Sequence, residues 1–381
     1  MSDDTPEPDR MEGAPHPRNT LTLLGQSAAE TTFLAAYNTG RLHHAWLMTG
    51  PRGVGKATLA WRIAKFLLAT PEPDGGMFAP PPPTALDLPD SPILHRIAAL
   101  SESRLHLVRR TIHPDTGKMR QVITVGDIRG EERRSLKHLT EFMHLTAADG
   151  GRRVAIIDSA DEMNQNAANA LLKLLEEPPA KVTILLISHQ PARLLPTIRS
   201  RCRELRLMPL SARDLSDALT GAGGEVDPQD RAALAELAGG SVGEAFQMTN
   251  LDGLKLYGAL IRVMSTLPRL DRHMALTLAE AGAKKGAEAQ FDLIVTLIDL
   301  FLARTARAGT LHQLPPEAAR GESALIERLA PTPHAGRVWA DLAQVLGNRA
   351  RRGRAVNLDP AALLMDMVLK IDETAGTLAQ G

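Results

Sequence analysis

A glycine-rich loop that ends in a lysine is the part of this sequence best suited to holding an anion. The loop consists of Gly50, Pro51, Arg52, Gly53, Val54, Gly55 and Lys56. The apolar run AWLMT precedes it and the helical pattern ATLAWRIAKFLLA follows it, which is the strand, loop and helix context of a phosphate loop. Glycines let backbone N–H groups turn towards a phosphate, and the helix N-terminus and Lys56 supply positive charge. Binding of a nucleotide such as ATP is therefore chemically possible here.

The residues that would hold a metal ion beside this loop are incomplete. The position after Lys56 normally offers a Ser or Thr hydroxyl to Mg²⁺, but it is Ala57, and Thr58 lies one residue further round the helix. A later apolar run ends in Asp158, which suits the carboxylate that holds the water shell of Mg²⁺. The next residue, where a Glu would orient an attacking water, is Ser159. The sequence therefore puts Mg²⁺ coordination in doubt.

Two interpretations of the loop stay open at this point. It either binds nucleotide or survives as a tight strand-to-helix turn around an empty or weakly occupied pocket. Asp161 and Glu162 lie off the strand end, and they are better interpreted as charges in the first turn of the next helix. That helix, residues 163–177, has a predicted core face made of Ala167, Ala170, Leu171, Leu174 and Leu175.

The pattern of apolar runs predicts the elements that position these residues. Up to about residue 208, short apolar runs alternate with helical patterns, which is typical of βαβ units around a parallel sheet. Residues 113–118 predict a hairpin turn between strands at 108–112 and 120–125. Beyond about residue 210 the patterns are helical. The main strand candidates are Ala45–Thr49, 105–108, 154–158, 182–188 and 204–207.

Composition excludes several classes of protein. Lys and Arg total 44 and Asp and Glu total 44, so no overall basic excess favours tight binding along a nucleic acid. The single cysteine, Cys202, rules out an internal disulfide framework and a cysteine zinc site. We predict a disordered tail at residues 1–20 and a proline-rich surface loop at residues 71–92. We find no signal peptide or membrane-spanning run, which favours a cytoplasmic protein.

A family resemblance appears in the stretch 157–202, IDSADEMNQNAANALLKLLEEPPAKVTILLISHQPARLLPTIRSRC. This stretch resembles the clamp-loader AAA+ ATPases, whose hallmarks include a NALLK-LEEPP helix and an SRC motif. Gly25-Gln26 and the run GRLHHAWL at residues 40–47 are similar to the segment before the phosphate loop in the same family. The resemblance covers about residues 22–210. It implies an AAA+ P-loop domain at 21–208, a helical lid at 209–250 and a helical collar at 251–381.

The resemblance also implies a role for the SRC motif, Ser200-Arg201-Cys202. Arg201 would be an arginine finger, which enters the ATP site of an adjacent subunit and stabilises the charge on the transferred phosphoryl group. The alternative is an ordinary surface arginine. No activating partner can be named for Cys202, so it is interpreted as a small buried hydrophobe.

Departures from the family pattern indicate a subunit that does not hydrolyse ATP by itself. Ala57, Ser159 and Gly243, the last at the usual position of a second-sensor Arg, each remove a part of a hydrolysis site. We therefore expect negligible hydrolysis by the chain alone. The resemblance implies a hetero-oligomeric ring with the ATPase motor subunits and a delta subunit, which meets the sliding clamp and primed DNA through the complex and no membrane. The cysteine zinc module that motor subunits usually carry is missing, so no zinc is expected.

Three alternatives compete with this interpretation. An active motor subunit would need Thr58 or Glu162 to replace the missing groups. A stand-alone P-loop kinase would need an acceptor site and lid arginines rather than a long helical C-terminus. A non-catalytic scaffold differs only in whether Arg201 enters a neighbour's site. No pair of metal-binding carboxylates suggests nucleotidyl transfer, so a polymerase activity would belong to the larger assembly.

Overall fold

A computed structural model describes residues 7–10, 14–71, 81–113, 116–129, 139–144, 151–284, 286–356 and 358–380. In these ranges a parallel sheet is followed by helices, as predicted. The chain forms two compact units. Unit 1 contains residues 1–223 and 241–243, and unit 2 contains residues 224–240 and 244–381.

Unit 1 is built on a five-stranded parallel sheet in the order β2-β3-β4-β1-β5. The three inner strands are buried along their whole length, and the two edge strands are partly exposed. Inner parallel strands covered on both faces need unbroken apolar runs, which is why these runs were recognisable in the sequence. The strands are β1 (Ala45–Thr49), β2 (Leu105–Arg109), β3 (Arg153–Asp158), β4 (Val182–Ile187) and β5 (Arg203–Arg206).

Helices cover both faces of this sheet. On one face, alternate residues of β1, β3 and β4 pack with the apolar side of α6. On the other, Phe33 packs edge-on against Trp46 and Phe66. The helices of unit 1 are α1 (Ser27–Asn38), α2 (Lys56–Ala69), α3 (Pro92–Ala98), α4 (Val125–Arg129), α5 (Leu139–His144), α6 (Gln165–Glu176), α7 (Pro196–Arg199) and α8 (Ala212–Gly221).

All the regular secondary structure described in unit 2 is helical. Its two longest helices, α13 and α15, pack against each other, and Gly309 lies next to Gly336 at their contact. The apolar face of α13, including Phe291 and Phe301, is buried, so these residues form core in this chain. The helices are α9 (Arg231–Ala238), α10 (Val242–Asn250, whose first two residues belong to unit 1), α11 (Gly253–Met264), α12 (Arg272–Ala281), α13 (Glu288–Leu311), α14 (Glu322–Leu329), α15 (Pro333–Ala355) and α16 (Pro360–Gln380).

The predicted hairpin forms only in part. Ile112 and Met119 make an antiparallel bridge, and His113 N donates to Lys118 O across the turn (2.8 Å). No second strand follows, because the chain turns into α4 at Val125. Residues 72–80 of the predicted proline-rich loop lie outside the described residues.

The N-terminal segment predicted as a tail differs from that expectation where it is described. Asp9 and His16 have side chains that are only 2% exposed, and His16 Nε2 lies 3.1 Å from Asp9 Oδ2. Arg109, at the end of β2, pairs with Asp9. A segment of polar composition packs here because the body of the domain supplies a partly buried arginine partner, which local composition does not reveal.

The boundaries of the two compact units differ from the domain boundaries expected at residues 208 and 250. Helix α8 belongs to unit 1, while α9 and most of α10 belong to unit 2. The division into AAA+ domain, lid and collar stays a prediction. None of the helices described is long and apolar enough to cross a membrane.

Candidate nucleotide site and the SRC turn

The phosphate loop leaves the end of β1 and enters α2, as the sequence predicts. Gly50, Gly53 and Gly55 have φ values of 138°, 70° and 100°, which side chains rarely tolerate. A Cβ on Gly55 would lie 2.5 Å from Leu23, and one on Gly50 would lie 2.4 Å from the carbonyl of Leu207. The glycines are therefore required by close packing as well as by the turn.

The side chain of Gln26 holds the phosphate loop in place through hydrogen bonds. Its side-chain amide donates to Val54 O (3.1 Å) and to Met208 O (2.7 Å), and its carbonyl accepts from Met208 N (3.1 Å). Val54 itself is buried, whereas Pro51 and Arg52 are exposed. One buried glutamine thus ties the phosphate loop to the segment that follows β5.

Lys56 lies in this loop with its amino group turned inward. Nζ donates to Gly50 O (2.8 Å) and to Pro51 O, and the residue is 3% exposed. Burial lowers the pKa of Lys56 to about 8. The loop and its cation suit an anionic phosphate, which would take the place of the two carbonyl partners at Nζ.

The expected Mg²⁺ ligands fit a metal poorly. Ala57 offers no oxygen, and Thr58 is half-buried further along α2. Asp158 ends β3 as predicted, but burial, and then the negative charge of Asp9, raise its pKa to about 7. Among the described residues no group of three or more His, Cys, Asp or Glu side chains is placed to hold a metal ion. The donor set therefore does not match Mg²⁺, which prefers ionised carboxylate and hydroxyl oxygens.

Ser159 stands where a hydrolysing site would carry a water-orienting carboxylate. Its Oγ donates to Asp158 Oδ1 (3.0 Å) and lies 2.9 Å from His189 Nε2. Burial, and then the positive charge of Lys56 and Arg52, lower the pKa of His189 to about 4, so its ring is neutral at pH 7. His189 was missed from the sequence. Its signal was available, because it lies two residues after the end of β4, Ser159 lies one residue after the end of β3, and the carboxyl ends of neighbouring parallel strands meet at one edge.

The nearby carboxylates are engaged elsewhere. Glu162 pairs with Arg110 (2.8 Å) and with Arg52 (3.3 Å), and it lies in a short 3-10 turn, Ala160–Glu162, before α6. Asp161 accepts from the backbone N of His189 (2.9 Å). Both acids lie off the strand end, as expected, but the expectation that they lie in the first turn of the next helix is wrong, because α6 begins only at Gln165. The predicted core face of α6 is also buried.

A segment from the expected lid packs directly on the loop. Val242 N donates to Gly53 O (2.9 Å), and a Cβ on Gly53 would lie 2.2 Å from Ser241 Oγ and 2.7 Å from Gly243 N. Gly243, at the predicted second-sensor position, contacts the loop through its backbone only, and it has no guanidinium group.

The SRC motif forms the turn between α7 and β5. Ser200 is exposed and its Oγ donates to Thr197 O (3.1 Å). Arg201 Nη1 donates to Thr197 O (3.0 Å), and its Nη2 lies 3.0 Å from Glu176 Oε1 at the end of α6. Cys202 packs against the core, and burial raises its pKa to about 12, so the thiol is not a nucleophile at neutral pH.

Comparison with known proteins supports the resemblance. The family described as "DNA polymerase III, delta subunit" matches residues 25–211. The delta' subunit of Pseudomonas aeruginosa is 38% identical over 160 residues, which are 42% of this chain and 41% of that protein. The delta' subunit of Escherichia coli is 28% identical over 343 residues, covering 89% of this chain and 92% of that protein.

Similarity extends to a further subunit type. The tau subunit of Escherichia coli is 27% identical over 333 residues, which cover 82% of this chain and 46% of that protein. The chain therefore spans less than half the length of two of these three relatives. Its strand order, with the phosphate loop after β1 and an acid at the end of β3, is that of an AAA+ P-loop domain. On these matches and this fold, the chain is similar to the delta' and tau subunits of DNA polymerase III, and the family match covers just under half of the chain.

Proposed function

We propose that this chain is a clamp-loader subunit that completes the ATP site of a neighbouring subunit with Arg201 and does not hydrolyse ATP at its own loop. The observation that carries this proposal is the contrast between the two places. At the loop, Ala57 stands where a Ser or Thr hydroxyl would bind the metal, and Ser159 stands where a carboxylate would orient the water. At the SRC turn, the side chain of Arg201 is 37% exposed, and its guanidinium contacts Thr197 and Glu176 rather than the loop.

Loss of hydrolysis is supported by what surrounds the site. Ser159 is buried and bonded to Asp158 and His189, so it offers no ionised group to polarise a water. Glu162, the acid that would have to substitute in an active motor subunit, is held by two arginines. Removing a general base lowers the rate by about 10²- to 10⁴-fold, and the absence of a metal-binding hydroxyl at position 57 lowers it further.

The loop itself is proposed to keep a capacity for ATP. Its backbone geometry suits a phosphate, and Lys56 is buried beside it. Nucleotide would have to draw Lys56 Nζ away from Gly50 O and Pro51 O, so we expect weak binding that depends little on Mg²⁺. The partners implied are ATPase motor subunits and a delta subunit in a ring that loads a sliding clamp on primed DNA.

The test is ATP turnover by this chain alone and by the loader reconstituted with its motor and delta subunits, clamp and primed DNA. We expect background turnover from the chain alone. In the loader, Arg201→Ala should slow the site it completes by about 10²-fold or more, because an arginine finger contributes at least that much to phosphoryl transfer. The matched control is Arg199→Ala, which replaces an exposed arginine at the end of α7, next to the SRC turn.

Two results would contradict the proposal. Robust turnover by the chain alone, abolished by Lys56→Ala, would make it a motor subunit. Normal turnover by a loader that contains Arg201→Ala would make the chain a scaffold.

A further inference from the structure

The guanidinium of Arg201 is already engaged within its own chain. Its Nη2 lies 3.0 Å from Glu176 Oε1 and its Nη1 donates to Thr197 O at 3.0 Å. Glu176 is the last residue of α6, and Thr197 lies in α7. The ion pair therefore connects the end of the NALLK helix to the turn that carries the SRC motif.

Solvent reaches both partners of this pair. The side chains of Arg201 and Glu176 are 37% and 44% exposed. Exposed ion pairs are weak because water screens the charges and because two long side chains must be held in one geometry. A phosphate, which carries more negative charge and accepts two parallel N–H bonds, can therefore replace the carboxylate at the guanidinium.

The pair also changes what a neighbouring subunit would encounter. While Glu176 contacts Arg201, its negative charge offsets the positive charge of the guanidinium, and it would repel an approaching phosphate. The pair also fixes the orientation of the guanidinium of Arg201, because the contacts at Nη1 and Nη2 hold its plane in one direction.

We propose that Glu176 is a positioning residue for Arg201, which holds the guanidinium at its own surface until the phosphate of a neighbour's nucleotide displaces the carboxylate. The proposal rests on the trans role of Arg201 proposed above. It makes engagement of Arg201 an exchange of partners. Glu176 thereby sets how often the neighbouring site is complete before clamp and DNA draw the subunits together.

The chain offers a matched control. Glu177 follows Glu176, carries the same charge and is also exposed, yet within the described residues its side chain forms no ion pair with Arg201. A change in net charge at this end of α6 is therefore separable from loss of the pair itself.

The experiment measures ATP turnover of the reconstituted loader over a range of ATP concentrations, with and without clamp and primed DNA. Glu176→Gln should raise turnover without clamp and DNA by about twofold to fivefold, which corresponds to ~0.4–1 kcal/mol, the size of an exposed ion pair. With clamp and DNA the maximal rate should not change, because Arg201 is then engaged. Glu176→Asp should stay closer to the native chain, and Glu177→Gln should match it.

A double variant separates positioning from a structural role. In the Arg201→Ala background, Glu176→Gln should have no further effect on turnover. If Glu176→Gln leaves turnover without clamp and DNA unchanged or lowers it, or if its effect persists without Arg201, the positioning role is wrong. If Arg201→Ala itself leaves turnover normal, the trans role fails first, which distinguishes the two failures.

Discussion

At the scale of single residues, burial decides which groups near the phosphate loop carry a charge. Asp158 is buried and its pKa rises to about 7, while the pKa of Lys56 is lowered to about 8 and that of His189 to about 4. Near neutral pH the site thus holds a partly protonated acid, a partly neutral amine and a neutral imidazole.

The raised pKa of Asp158 has a consequence for stability. Its ordinary value is 3.8, so between about pH 4 and pH 7 the folded chain holds this proton more tightly than the unfolded chain. The free energy of unfolding therefore falls as pH rises through this window. Asp158→Asn removes the titration while its amide oxygen can still accept from Ser159.

We expect Asp158→Asn to raise the free energy of unfolding by about 1–3 kcal/mol at pH 8, given ~1.4 kcal/mol per unit of pKa. At pH 4 the gain should be close to zero, because the native carboxyl is then largely protonated. Urea unfolding of unit 1 at both pH values measures this. An equal gain at the two pH values, or a loss at pH 8, would show that the pKa of Asp158 is not raised in the folded chain.

At the scale of elements, the phosphate loop depends on a contact with residues nearly two hundred positions away. Gly53 lies beneath Ser241 and Gly243, and its carbonyl accepts from Val242 N. Any side chain at Gly53 would have to displace this segment or the loop. The turn that would carry a second sensor is therefore part of the support of the loop.

Gly53→Ala and Gly40→Ala form a matched pair. Their φ values are 70° and 68°, but a Cβ at Gly40 meets nothing within 4 Å. We expect Gly40→Ala to cost about 1–2 kcal/mol of stability, the strain of a left-handed residue, and Gly53→Ala to cost clearly more because of the clash. Thermal unfolding of the two variants is the measurement, and equal losses would mean that Ser241 does not pack on the loop.

At the scale of the whole molecule, unit 2 contains a buried charge pair of its own. Glu322, fully buried, accepts from Arg304 Nε (2.7 Å) and Tyr257 Oη (2.6 Å) through one oxygen, and from Ala318 N (2.7 Å) through the other. Arg304 Nη1 lies 3.6 Å from Glu236 on α9. One arginine therefore connects helices that are far apart in the sequence.

Removing one partner of this pair leaves the other charge buried and unpaired. Glu322→Gln should therefore cost about 3–5 kcal/mol of unit 2 stability. The exposed Glu327 on the same helix supplies the control, Glu327→Gln, which should cost little. Hydrogen exchange should speed up in α11, α13 and α14 of Glu322→Gln, with β1, β3 and β4 protected as before. Faster exchange in those strands would show that the two units unfold together.

Much of unit 1 follows from local sequence. The five strands begin and end within one residue of their predicted positions, and the phosphate loop, Asp158 and the core face of α6 lie where expected. These features depend on residue periodicity, on glycine at left-handed turns and on charge at strand ends, all of which act over a few residues. The SRC motif was also recognisable, and its role in a neighbour's site stays a prediction.

The tertiary structure alone decided which polar side chains meet. Ser159 with His189, Arg201 with Glu176, Glu162 with two arginines, and Asp9 with Arg109 each join residues that no local pattern connects. Burial is also decided by the tertiary structure, because the pKa of Asp158 depends on the elements packed around the end of β3. The sequence determined that a phosphate loop and an SRC turn exist. The fold determined their partners, since hydrogen bonds and ion pairs form between side chains that folding brings within about 3 Å of each other.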